Sequence, residues 1–233
     1  MHLHLPKPLH GWREFAGEVG IIVVGVLIAL GAEQVVQNFT WQTGVRNFRA
    51  ALDTEVRFDL AASEFRVGQT PCLEGRLADL ARWSATQRAG KATPLLREIG
   101  YPIRVSPGTS VWNSRGADLT AHIPMRARLA YSDFYDVLEN QWDLLQGERQ
   151  TWLSLNGFNH ATKLAPEDLI RLDELIYRAR TFNRFIVGDQ RDFAPDIRSL
   201  RLHASFGQLA PSINRFDPDF CKPILSTAGG KRA

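Results

Sequence analysis

Apolar and polar positions divide the chain near residue 40. Val19 to Leu30 contains only apolar residues and glycine, the apolar character continues through Gly31 and Ala32, and Glu33 ends it. That run is shorter than the roughly 20 helical residues that a bilayer's hydrocarbon needs. Extended through Phe15, Ala16 and Gly17 on one side and Val35 and Val36 on the other, it reaches spanning length, with Glu18 and Glu33 near the two polar boundaries. Trp12 and Phe15 precede it and Phe39 and Trp41 follow it, and such aromatic residues favour headgroup level. At about 1.5 Å per residue, Trp12 to Trp41 covers roughly 43 Å, close to a bilayer with its headgroups. The pattern predicts one transmembrane helix over residues 15–38.

Two other readings fit the same stretch. A cleaved signal peptide has a charged start, a short apolar core and a small-residue site, and Ala29-Leu30-Gly31 would serve as that site. Glu14 and Glu18 dilute the positive start, however, and apolar helical periodicity resumes directly after Glu33. A buried helix of a soluble domain is the other; a β-branched, glycine-containing run makes a poor soluble helix.

Beyond Trp41 the period is helical. Val45, Phe48, Leu52, Val56 and Leu60 recur at spacings of three and four, which predicts a helix continuing from the membrane segment with little or no break. Thr70-Pro71 reads as an N-cap followed by a first-turn proline, opening a helix with Leu73, Leu77, Leu80 and Trp83 that ends near Ala89-Gly90. Thr93-Pro94 predicts a short helical piece closed by Gly100, and residues 101–108 an extended connection. A short helix and a turn around Gly116 come next. A long helix from Pro124 carries Tyr131, Phe134, Leu138, Trp142 and Leu145, with a break at Asn156-Gly157. Pro166, with Glu167 and Asp168 behind it, opens a helix through Leu169, Leu172, Ile176, Ala179, Phe182 and Ile186. Asp196 to His203 is a final helix; the tail beyond is irregular and held only if Cys221 is paired. No stretch alternates strictly enough for a sheet. The expected fold class is all-α: a single N-terminal transmembrane helix followed by a periplasmic antiparallel helical bundle over residues 39–225, with a cytoplasmic arm over 1–14 and a disordered tail over 226–233.

On the membrane helix, Glu18, Ile22, Gly25, Ala29, Ala32 and Val36 share a stripe of mostly small residues. Gly25 and Ala29 form a small-xxx-small pair that lets another helix approach in lipid. Glu18 either sits at headgroup depth in water or takes a partner. Lys7 and Arg13 precede the helix and no Lys or Arg follows until Arg46, so the basic-residue bias puts the N-terminus in the cytoplasm and the remainder outside.

Composition then narrows the function. The 233 residues carry a net charge of only +3, and Arg is interspersed with Asp and Glu, so the clustered basic face of a nucleic-acid binder is missing. The two cysteines, Cys72 and Cys221, fall on the outer side, where oxidation allows them to pair; closing so long a loop stabilises by at most about 5 kcal/mol. They match no zinc or redox motif, and unpaired buried thiols are the alternative. There is no GxSxG, HExxH, GxxxxGK or CxxC. His2, His4 and His10 lie in the arm without fixed geometry. His122, His160 and His203 each lack a second ligand at helical spacing, and Asp217 with Asp219 read as solvated carboxylates. Glu139, Asp143 and Glu148 read as the wet face around Trp142, and Trp83, Trp112, Trp142 and Trp152 as mainly core, with a docking surface the alternative for one of them. No catalytic residue, metal ligand or cofactor site is expected.

Two segments carry a resemblance. GEVGIIVVGVLIALGAEQ, Gly17 to Gln34, and WNSRGADLTAHIPMRARLAYSDFY, Trp112 to Tyr135, resemble a family of bacterial membrane-anchored proteins of unknown function. That family's anchor reads GEI, an apolar run ending GILIAL, then polar helix. Trp112, Gly116, Leu119, Ile123, Leu129, Tyr131 and Tyr135 fill the places of its second motif, and together the segments cover about a quarter of the chain. The resemblance implies an anchor plus a helical outer domain, with no catalytic residue to carry over. Gly31-Ala32-Glu33-Gln34 departs from the Gln, Asn and Trp usual at that junction. The resulting expectation is a non-enzymatic accessory or scaffold subunit whose partners are other membrane protein subunits and the lipid bilayer, not nucleic acid. A periplasmic ligand-binding or sensory bundle is the alternative, disfavoured because some fourteen residues inside are too few for an output domain.

Overall fold

The computed structural model describes residues 11–207 and 218–225. The predicted arm as far as His10, the tail from Ser226, and His2, His4, His10 and Asp217 lie outside them. Every regular element among the described residues is helical. The longest, α1 (Trp12–Gly68), runs 57 residues, about 85 Å at about 1.5 Å per residue. Gln69 then keeps a right-handed backbone, φ −81° and ψ −7°, and the chain continues into α2 (Thr70–Arg88). The expected continuity from the apolar segment into the helical bundle is thus present, with a one-residue joint at Gln69. Thr70 is not the cap: it lies inside the helix, and its hydroxyl donates to Asn183 Oδ1 at 3.2 Å.

Ala89 and Gly90 close α2. The Gly90 and Lys91 N–H groups return to the Gln87 and Thr86 carbonyls, and φ +74° at Gly90 is the left-handed conformation that this end requires. The chain then travels back along the helices as an irregular strap, residues 91–109. Two short helices follow, α3 (Ser110–Asn113) and α4 (Ala117–Ala121), then α5 (Met125–Asn156), α6 (Pro166–Asp192), α7 (Ala194–Leu200) and a 3-10 turn, Pro218–Cys221. In the first turn of α6, Asp168 accepts the Ala165 N–H at 3.3 Å. The last predicted helix starts two residues early, at Ala194, and ends three residues early because Arg201 turns left-handed, φ 58°.

The piece predicted after Thr93-Pro94 does not form. Its backbone is bonded by the bundle's side chains instead: Trp83 Nε1 donates to the Thr93 carbonyl at 2.7 Å, Arg76 to the Glu98 carbonyl at 3.0 Å, and Asn159 Oδ1 accepts the Ile99 N–H at 2.8 Å. These bonds satisfy the groups a helix would have paired internally.

Partners across the helices give the direction of each. Tyr131, Tyr135 and Glu148 of α5 bond Asp53, Glu55 and Arg66 of α1 in ascending order, so α5 runs parallel to α1. Gln190, Asn183 and Asp173 of α6 bond Ser63, Arg66 and Ser84 in descending order, so α6 runs antiparallel. The expected antiparallel bundle is corrected in this respect: the strap carries the chain back, and α5 starts again at the end where α1 leaves the apolar segment.

Two apolar cores stack along the bundle. The one nearer the apolar segment joins Leu52, Val56 and Leu60 to Tyr131, Phe134 and Leu138; the far one joins Leu73, Leu77, Leu80 and Trp83 to Trp152, Leu155, Leu172 and Ile176. Between them lies a polar layer. Arg66 donates from Nε to Glu148 Oε2 at 2.8 Å and from Nη2 to Glu148 Oε1, and Nη2 also reaches Asn183 Oδ1 at 3.2 Å. Arg66, Glu148 and Asn183 are each about 2% exposed or less. Glu148 is therefore not on the wet face read from sequence, where Glu139 and Asp143 do lie.

Glu148→Ala leaves the Arg66 guanidinium buried and unpaired. The expected loss is about 3–5 kcal/mol, while Arg66→Met with Glu148→Leu loses much less; urea unfolding of the full chain in detergent, followed by helical circular dichroism, separates the two.

Candidate functional site

The first candidate is the apolar part of α1. No residue of its apolar window is buried, and the described residues from Trp12 to Thr40 are exposed. That removes the reading of a soluble domain's core helix. Glu18, Ile22, Gly25, Ala29 and Ala32 lie on this bare stretch, and a Cβ added at Gly25 meets nothing within 4 Å. No described element of the chain packs on the stripe.

The second candidate is a clamp of buried acids on the outer half of α1. Glu55 accepts the Val111 N–H at 2.8 Å and the Trp112 N–H at 3.1 Å, capping α3, which has no side-chain cap of its own, and it also accepts the Tyr135 hydroxyl. Asp59 accepts the Gly108 N–H at 2.7 Å. Burial pushes the Asp59 carboxyl from its ordinary 3.8 up to about 8; the Gly108 N–H opposes this and the Glu55 charge adds to it. Burial also raises Tyr131, to about 12, reinforced by its bond to Asp53, and raises Tyr135 further, reinforced by Glu55.

Behind the clamp is a small pocket of about 10 Å³ lined by Asp59, Arg66, Leu138, Gln141 and Trp142 among others. Asp59 Oδ2, Arg66 Nη1 and Gln141 Nε2 have no hydrogen-bond partner among the described residues. A space this small matches a single water and excludes any larger ligand. Several open clefts are larger, two of them flanked by aromatic rings. One, about 490 Å³, lies between the strap and α5, beside Trp112, Arg115, Tyr135, Glu139 and Trp142. The other, about 610 Å³, lies where α1 leaves its apolar stretch, along Trp41, Gln42, Arg46, Arg49 and Asp53, with His122 opposite.

Of the four tryptophans read as core, Trp83 and Trp152 are fully buried, whereas Trp112 and Trp142 are half-buried in the cleft wall. Arg115 lies 4.0 Å from the Trp112 ring centre and Arg104 lies 4.6 Å from that of Trp142. His122, His160 and His203 stay on the surface and apart. His122 stacks on Trp41 at 4.5 Å, and its Nδ1–H donates to the Asp118 carbonyl. Among the described residues no three His, Cys, Asp or Glu side chains converge as a metal site would require.

Cys72 on α2 and Cys221 come to disulfide distance, with Cα atoms 4.5 Å apart. The C-terminal segment is held by more than this pair. Arg76 donates to the Asp219 and Phe220 carbonyls at 3.0 and 2.6 Å, Asp79 accepts the Ile224 N–H at 2.8 Å, and Phe220 and Ile224 are buried.

Glu55, Asp59, Arg66 and Gln69 were missed in the sequence reading. Their signal is positional: they fall on the stripe that joins Leu52, Val56 and Leu60 to Leu73, so polar groups at apolar-stripe places mark the clamp and the central layer.

No protein-family model matches the chain, and neither a curated protein nor a solved structure is similar to it.

Two outcomes follow from this geometry. Because Asp59 is raised in the fold, its contribution to stability is fully present below about pH 4 and is lost as pH rises through about 8. Asp59→Asn keeps an oxygen for Gly108 but cannot ionise, so the decline in unfolding free energy between about pH 5 and pH 9 should become shallower in denaturant titrations. Reducing the cysteine pair, or replacing both by Ser, should lower stability by up to about 5 kcal/mol. In thermal unfolding with and without reductant, the parent should fall and the Ser variant should not respond.

Proposed function

We propose that the chain is a non-enzymatic, single-span protein of a bacterial inner membrane, acting as an accessory or scaffold subunit of a larger membrane assembly. The observation that carries this reading is the bare, apolar first half of α1, joined without a break to a helix that builds the bundle core. Burying such a surface is favourable only in lipid or against other apolar helices. Glu14 and Glu18 in the start of the segment, and apolar helical periodicity that resumes after Glu33, favour an uncut anchor over a cleaved leader. Lys7 and Arg13, against no further basic residue before Arg46, favour a cytoplasmic N-terminus and a periplasmic bundle.

The stripe of Glu18, Ile22, Gly25, Ala29 and Ala32 is the surface for a neighbouring subunit's helix, approached closely at Gly25 and Ala29. A periplasmic ligand-binding bundle is the second reading. The cleft beside Trp112 and Trp142 has the volume of a small-molecule site, about 490 Å³, but the small pocket with converging polar groups is of water size.

Gly25→Leu with Ala29→Leu tests the scaffold reading. Purified in mild detergent, the variant should lose co-purifying membrane subunits several-fold while its bundle unfolds as the parent does; unchanged recovery of companions, or a parent that purifies alone, defeats the reading.

A further inference from the structure

The segment from Gln34 to Leu52 holds no Asp or Glu, and its only charged residues are Arg46 and Arg49. Both line the open groove of about 610 Å³ at the outer end of the apolar stretch. Arg46 is exposed and makes no ion pair or hydrogen bond among the described residues. Arg49 shares a hydrogen bond with Tyr131, yet its Nε is buried without a partner. The single carboxylate of the groove, Asp53, is engaged by the Tyr131 hydroxyl. Two guanidinium groups therefore face one already occupied acid, and the site attracts an anion.

Position identifies the kind of anion. Arg46 lies about 7.5 Å along the axis beyond Trp41 at about 1.5 Å per residue, and Trp41, stacked on His122, belongs at headgroup level. Helical side chains lean toward the helix N-terminus, which aims the exposed Arg46 toward the apolar stretch, while Arg49 is held at Tyr131. Their planar forks match a phosphodiester's oxygens, and the amides of Gln42 and Asn38 line the same groove about one and two turns nearer the apolar stretch. We infer that this groove is a binding site for the phosphodiester headgroup of an anionic phospholipid in the outer leaflet. The inference rests on the membrane-spanning reading above and adds a lipid partner at a named place. Bound there, the lipid holds the base of the bundle at a fixed height and rotation above the bilayer surface.

The full-length chain is reconstituted in phosphatidylcholine nanodiscs containing a minor share of phosphatidylglycerol, and insertion is scored by protease protection. Native mass spectrometry of the released protein then reads phosphatidylglycerol retained relative to phosphatidylcholine. The parent should enrich phosphatidylglycerol. Arg46→Gln, which disturbs no contact, should reduce the enrichment roughly fivefold, and adding Arg49→Gln should bring the loss to roughly thirtyfold. Arg171→Gln, an exposed change on α6, should do nothing.

An inserted chain with no preference between the lipids, or with the same preference after Arg46→Gln, overturns the headgroup site and leaves the anchor standing. Loss of the enrichment in millimolar inorganic phosphate assigns the groove to free phosphate and overturns the lipid. A chain that does not insert overturns both readings.

Discussion

The ion pair of Arg66 and Glu148, completed by Asn183, is the contact on which the bundle's arrangement depends. It joins the three long helices α1, α5 and α6 at one level, inside a layer buried from bulk solvent. Sliding any helix by one turn would strand a charge in the interior, which is far costlier than shifting one leucine past another. The apolar cores on either side of the layer supply most of the burial, but Leu, Val and Trp tolerate several registers. The polar layer admits one. Its net worth against an apolar replacement is small, so its role is specificity of register rather than raw stability.

A second constraint follows from the parallel course of α1 and α5. A parallel pair needs a return path, and this chain uses an irregular strap whose backbone has no strand or helix to pair with. Side chains supply the missing partners. Gln69 both donates to the Ile103 carbonyl and accepts its N–H, at 2.8 and 2.9 Å, and Asn156 does the same at Gly100, at 2.7 and 3.1 Å. Asp59 and Glu55 hold the strap's far end. The joint between α1 and α2 falls at Gln69, so the residue that interrupts the long helix is also the one that fastens the strap across it.

Much of the architecture was legible because it rests on local periodicity. The apolar segment, the continuation from Val45 to Leu60, the stops at Gly90 and Asn156, and the start at Pro166 are written in spacing, proline and glycine. What could not be read depends on pairing between distant positions. Thr93-Pro94 carries a helix-start signal that lost to tertiary bonds from Trp83, Arg76 and Asn159. Glu148 carries the sequence look of a solvated acid, and only the approach of Arg66 makes its burial tolerable. The direction of α5 was hidden for the same reason: short connections favour antiparallel neighbours, and nothing local marks residues 89–124 as a return path. The bare stripe on α1 was legible in residue type, but its exposure is a property of the fold.

The unbroken course of α1 from its greasy end into the bundle couples two rotations that a flexible linker would separate. Each residue of helix turns the following chain by about 100°, so the azimuth of Gly25 and Ala29 is fixed relative to the faces of the bundle. In the proposed assembly, a partner packed at Gly25 and Ala29 thereby steers the Trp112 and Trp142 side of the bundle without touching it. Lengthening the shaft by a single residue between Val36 and Trp41 would swing the head by nearly a third of a circle, leaving both ends chemically intact and facing the wrong way.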